Sequence, residues 1–170
     1  EAIRTTVIEH MFVLGIDPGL SATGYGLVEG SHPPKALLAG VIRTGTDLEV
    51  PQRLAELHRG LTQVISDAEP EVIALETVFT NRNLQTAISV GRASGVALLA
   101  AAEAGIPVYE YVPTMIKSAV TGDGSANKAQ VQEMVARLLR LEKAPKPADA
   151  ADALAIALCH LRAAPLQVSR

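Results

Sequence analysis

The chain has 170 residues, 48% of them apolar, and a formal net charge of −3, which suits one domain with a sizeable core and offers no global basic field to attract nucleic acid. Three Tyr, two Phe and no Trp make that core aliphatic, and a single cysteine, Cys159, excludes an internal disulfide and fits a reducing, cytoplasmic setting. No run of about 18 consecutive apolar residues suggests a membrane span, and the opening "EAIRTTVIEH" lacks the apolar stretch of a signal peptide. Residues 1–10 read as a leader before Met11, residues 11–166 as one domain, and 167–170 as a tail.

In chain order, "MFVLGID" is a buried strand that stops at Pro18 and leaves Asp17 at its carboxyl end. Residues 24–30 and 36–45 follow as two more strands, and their short connections favour an antiparallel meander. Apolar residues at 54, 57, 61, 64 and 65 mark a helix opened by Pro51 and closed by Pro70. "EVIALE" is a short buried strand ending in a second acid, Glu76. A long helix then runs from Asn83 to about Gly105, with Gly91 and Gly95 on one side; there another helix, or the sheet, can approach closely. "IPVYEYV" is a fifth strand. A short helix over 113–122, the loop "GDGSAN", a helix with apolar residues at 131, 134, 135, 138 and 139, and a closing helix from Ala148 complete the chain. This order predicts a mixed five-stranded sheet covered by helices.

The chemistry is carried by acids. Asp17 and Glu76 each close an apolar strand, and if those strands are parallel neighbours both carboxylates emerge at one sheet edge. Asp149 and Asp152 are three apart on the closing helix and so share a face. Each has a plain structural explanation alone: Asp-Pro-Gly is a turn, a strand-end Glu is a rim charge, and acids suit a helix N-terminus. Together they form a different pattern. Carboxylates brought together raise one another's pKa unless cations intervene. Hard ions such as Mg²⁺ take oxygen ligands, and a pair of them can clamp the attacking and leaving oxygens of a phosphoryl displacement. Mn²⁺, which takes the same oxygen ligands, is the alternative ion. His160 lies on the same helical stripe, but ~12 Å beyond Asp152 at 1.5 Å per residue, too far to share that metal.

With those four acids set aside, fourteen remain against fifteen Lys and Arg, and residues 77–140 carry six basic residues against four acids. That mild bias is compatible with a face that reads a phosphate backbone. The apolar strand followed by "DPG" and glycines is also compatible with a nucleotide-phosphate cradle of the actin- or sugar-kinase kind, although the chain is short for their second lobe. A non-catalytic nucleic-acid-binding scaffold on the same fold is a further alternative.

"LGIDPGLSATGYG", "ALETVF", "GRASGVALLAAAEAGIPVYEY", "IKSAVTGDGSANKAQVQEMV" and "ADAADALAIALCH", in this order and spacing, resemble the RuvC family of bacterial Holliday junction resolvases over residues 12–161. The resemblance implies an α/β, ribonuclease H-like fold, a five-stranded mixed sheet flanked by helices. It implies that Asp17, Glu76, Asp149 and Asp152 are catalytic, Mg²⁺-binding carboxylates and that Lys117 and Lys128 contact DNA near the cleavage site. Phe79 matches an aromatic that meets bases at the crossover; a core position is the alternative reading. Arg82, on the same loop, is a further candidate to touch phosphate. The implied partners are a four-way DNA junction, a second copy of the chain in a homodimer, and the RuvA–RuvB branch-migration complex. The leader has no counterpart in the pattern.

Overall fold

The computed structural model describes residues 10–77 and 83–167. Strands β1 (Phe12–Asp17), β2 (Ala22–Glu29) and β3 (Lys35–Arg43) form the antiparallel meander. After helix α1 (Val50–Ala68), strand β4 (Val72–Glu76) lies beside β1 and parallel to it. Helix α2 (Leu84–Glu103) then leads to β5 (Val108–Tyr111), parallel to β4, and the sheet order is β3-β2-β1-β4-β5. Helices α3 (Pro113–Thr121), α4 (Lys128–Leu138) and α5 (Ala148–Gln167) follow. Antiparallel neighbours need only short turns, whereas each parallel pair needs a crossover, which α1 and α2 supply.

Alternation along the strands divides the core between the two faces of the sheet. Leu14, Ile16, Leu27, Ile73 and Leu75 pack against Leu57, Leu61 and Ile65 of α1 and against Ala93, Ala97, Ala100 and Ala101 of α2. Val13, Val28, Ala74 and Tyr111 meet α3, α4 and the nearly all-round buried α5, where Cys159 is a core residue. Burial pushes the Cys159 thiol up to about 11, which leaves it inert as a nucleophile.

Local signals fix the element ends. Pro51 lies in the first turn of α1, and Glu69 closes that helix in the left-handed region (φ 45°) immediately before Pro70. Asn127 and Gln130 form a reciprocal capping box at the start of α4. The third strand is shorter at its end than the predicted 36–45, because Thr44 turns away and donates its hydroxyl to the Leu20 carbonyl at 2.6 Å.

Two expectations are refined. Gly91 and Gly95 do not face the sheet: a Cβ added at either would meet nothing within 4 Å. The buried side of α2 is its alanine stripe. The second concerns membrane spans: α2, with 20 residues, is long and apolar enough to cross a membrane by length and composition alone, while the expectation that no continuous apolar run of that length exists holds. Its Ala, Val and Leu content outweighs scattered Gln, Ser and Arg in the average, although no uninterrupted apolar run exists. Its alanine side packs on α1 and the sheet, and its other side is exposed.

Candidate active site

Asp17 ends β1, and the loop that follows is held rigidly. Thr23 donates its hydroxyl to the Gly19 carbonyl at 2.7 Å, and the Gly19 N–H is 3.2 Å from the same hydroxyl oxygen. Arg53 on α1 donates to Ser21 (2.7 Å) and to Thr44 (3.0 Å). These contacts fix the direction in which β1 delivers its carboxylate. Because Ile16 pairs with Leu75 in a parallel register, Glu76 arrives beside Asp17 at the same edge, and the two carboxyls share a hydrogen bond.

The other two acids come from across the sheet. Helix α5 lies directly on β1 and β2 because those strands present glycines where it crosses. A methyl group at Gly15 would collide with the Ala153 carbonyl oxygen, and one at Gly24 with that of Asp149. At Gly26 it would lie 2.7 Å from a Leu154 methyl. With the glycines present, backbone meets backbone, and the first turn of α5 comes down over the end of β1. Carboxylate oxygens of Asp17, Asp149 and Asp152 thereby lie within 4.8 Å of one another, with Glu76 joined to the group through Asp17. Gly15, Gly24 and Gly26 are thus covered by a helix, and Gly19, in the turn after Asp17, lies against the Ala22 carbonyl instead.

The electrostatics follow from this crowding. Burial, then the charges of Glu76, Asp152 and Asp149, raise the Asp17 carboxyl to about 8. A carboxyl so placed ionises readily only when a cation comes to it. The donor set is all oxygen, partly buried and strongly anionic, which fits a hard divalent ion. One cation of the chain already approaches: Lys128 Nζ lies 2.9 Å from Asp152 Oδ2.

The remaining expected residues divide. Lys128 joins the acids. Lys117 is on α3, which begins directly after β5 at the same carboxyl edge of the sheet, and its side chain is half-buried. Phe79 and Arg82 lie outside the described residues. His160 is buried, its Nδ1 sharing a 2.6 Å hydrogen bond with the Tyr111 hydroxyl and its ring 4.9 Å from that of Tyr109. It is a packed histidine, apart from the acids. What residue reading did not foresee is the anchoring by Thr23, Thr44 and Arg53, and the glycine seat. The seat had a signal, in Gly15, Gly24 and Gly26 facing an Ala-rich closing helix.

A mixed 3-2-1-4-5 sheet whose carboxyl edge gathers acids from its first and fourth strands and its last helix is the arrangement of a ribonuclease H-like nuclease, of a kind that works with divalent metal. A sequence model described as "Crossover junction endodeoxyribonuclease RuvC" matches residues 13–160. A protein of that name from Salinispora arenicola (strain CNS-205) is 52% identical over 153 residues, which cover 89% of this chain and 87% of that one. One from Thermomicrobium roseum is 49% identical over 152 residues, covering 89% and 93%. Among solved structures, "T. thermophilus RuvC in complex with Holliday junction substrate" superposes with a TM-score of 0.88 at 40% identity, over 93% of this chain and 97% of that one. The yeast mitochondrial resolvase Ydc2 shares the fold, with a TM-score of 0.66 at 18% identity, over 99% of this chain and 87% of that one. The chain belongs to the RuvC family of crossover junction endodeoxyribonucleases.

Proposed function

We propose that this protein resolves four-way DNA junctions by paired, symmetric hydrolytic nicks that leave 5′-phosphate and 3′-hydroxyl ends, with Mg²⁺ held by Asp17, Glu76, Asp149 and Asp152. The observation that carries this reading is the convergence of carboxylate oxygens from Asp17, Asp149 and Asp152 within 4.8 Å. Bound Mg²⁺ would lower the pKa of the attacking water and stabilise charge on the leaving 3′ oxygen. Asp17, at the centre of the group and raised to about 8, is the acid most dependent on a cation and the one that ties the strand acids to the helix acids. The protein supplies no covalent nucleophile from α5, since Cys159 is buried with a raised pKa and His160 is bonded to Tyr111. Lys117 and Lys128 would hold the phosphate backbone beside the acids, an attraction with little sequence information. Phe79 and Arg82 would act on the DNA from the segment after Glu76, and a base stacked on an aromatic ring is worth ~1–3 kcal/mol.

A two-fold symmetric substrate cut on two strands asks for a two-fold symmetric enzyme. The exposed side of α2 supports that assembly: Leu84, Ile88, Leu98 and Leu99 are exposed, with Gly91 and Gly95 between them on the same helical side. RuvA–RuvB is the branch-migration partner that the family implies, and the cytoplasm, where a free thiol such as Cys159 stays reduced, is the compartment.

Asp17→Asn is the direct test. An amide binds Mg²⁺ poorly, so this variant should bind a synthetic four-way junction with the wild-type affinity yet fail to nick it. Nicking at the wild-type rate would sink the metal assignment. A wild-type protein that binds junctions and never nicks them with Mg²⁺ would instead be a scaffold.

A further inference from the structure

Lys128 occupies a position that its own helix does not favour. It is the first residue of α4, where the unpaired N–H groups present positive charge, and the Asn127–Gln130 capping box fixes that end in place. The side chain is 62% exposed, so core packing does not hold it either. What holds it is Asp152 of α5, whose Oδ2 lies 2.9 Å from Nζ. Asp152 is also one of the three acids whose oxygens gather within 4.8 Å. This ion pair reaches into the acid group. An ammonium at hydrogen-bond distance from an oxygen needed by a divalent ion both blocks a coordination direction and repels the ion.

We propose that Lys128 is an internal competitor for the metal: its ammonium holds Asp152 in the free enzyme and leaves when a DNA phosphate offers it another anionic partner, so that metal loading and DNA binding reinforce each other. This rests on the metal reading of the acids given above. The physical basis is one cation with two possible anionic partners. While it sits on Asp152, the acids keep part of their charge neutralised without an ion. Once a phosphodiester draws it away, Asp152 is free to ligate, and the acids, still crowded, attract the divalent ion more strongly. Linkage requires that whatever factor DNA contributes to metal affinity, metal contributes to DNA affinity. The opposite role, in which Lys128 only orients Asp152 for the metal, makes the opposite prediction.

The test is Mn²⁺ binding to the full chain without DNA, followed by electron paramagnetic resonance at fixed ionic strength. Lys128→Gln, which removes the positive charge at an exposed position, should bind Mn²⁺ about tenfold tighter than wild type, whereas Lys128→Arg, which keeps the charge, should remain close to wild type. Adding a junction with non-hydrolysable phosphates at the crossover should tighten Mn²⁺ binding in the wild type and much less in Lys128→Gln. Affinity in Lys128→Gln equal to or weaker than wild type overturns the proposal, as does an absence of Mn²⁺ binding by that variant. Asp17→Asn separates the two readings. If it binds Mn²⁺ as well as wild type, the metal site itself is wrong; if it loses Mn²⁺ while Lys128→Gln matches wild type, only the competitor role fails.

Discussion

Asp17 and His160 show how position decides what a titratable residue does. Asp17 is crowded by three other acids at the sheet edge, and its raised pKa expresses a demand for positive charge. His160 is buried beside Tyr111 and Tyr109, and burial lowers its pKa from 6.5. The sign of the second effect can be worked out. Below pH 6.5 the unfolded chain takes up a proton that the folded ring resists, so this contribution is complete above 6.5 and is lost as pH falls toward the folded-state value. Melting temperatures measured between pH 7.5 and 5.5 should therefore fall more steeply for wild type than for His160→Asn; parallel curves would remove the histidine from the account. Lys117 acts by charge alone in the proposed function. Lys117→Ala should weaken binding to junctions of any sequence and reduce the slope of log affinity against log salt by about one, as titrations at several salt concentrations will report.

At the scale of elements, the seating of α5 is what assembles the site. Gly24 lies opposite Asp17 in the antiparallel register and beneath the Asp149 carbonyl, so a methyl group there must lift the first turn of α5. Gly24→Ala should cost ~1–3 kcal/mol of stability through overpacking and, through displaced acids, slow nicking by roughly 10²-fold. Thermal melts beside single-turnover cleavage will compare the two losses, and an unaltered cleavage rate would mean that the seat does not position the acids. The four acids themselves were legible in the sequence. Apolar runs that end in Asp17 and Glu76 have a definite strand-end reading, and the i, i+3 spacing of Asp149 and Asp152 has a definite helical one. Gly24 was not legible in the same way. Glycine before a helix, a phosphate or a turn looks the same in a chain, and only the path of α5 chooses among them. The pairing of Lys128 with Asp152 was hidden for a related reason: it depends on how α4 packs against α5, which no local pattern encodes.

Across the whole molecule, one side of α2 is open and apolar. Residues 84, 88, 91, 95 and 98 repeat at helical spacing on the side opposite Ala93, Ala97 and Ala100. The sequence showed the two glycines; which way they faced had to come from the packing of the alanines. Leu99 is 54% exposed and borders this side, so Leu99→Glu should leave the fold intact while opposing any copy seated there. Sedimentation should then give the mass of one chain, and junctions should receive single rather than paired nicks. A variant that sediments as the wild type does would locate self-association elsewhere.

The closing helix also bears on biosynthesis. A ribosome finishes all five strands well before it delivers Asp149 and Asp152. A growing polypeptide, or a fragment cut between α4 and α5, therefore owns two of the four acids proposed to hold the metal. On that assignment the site can form only once α5 has emerged and seated on the sheet.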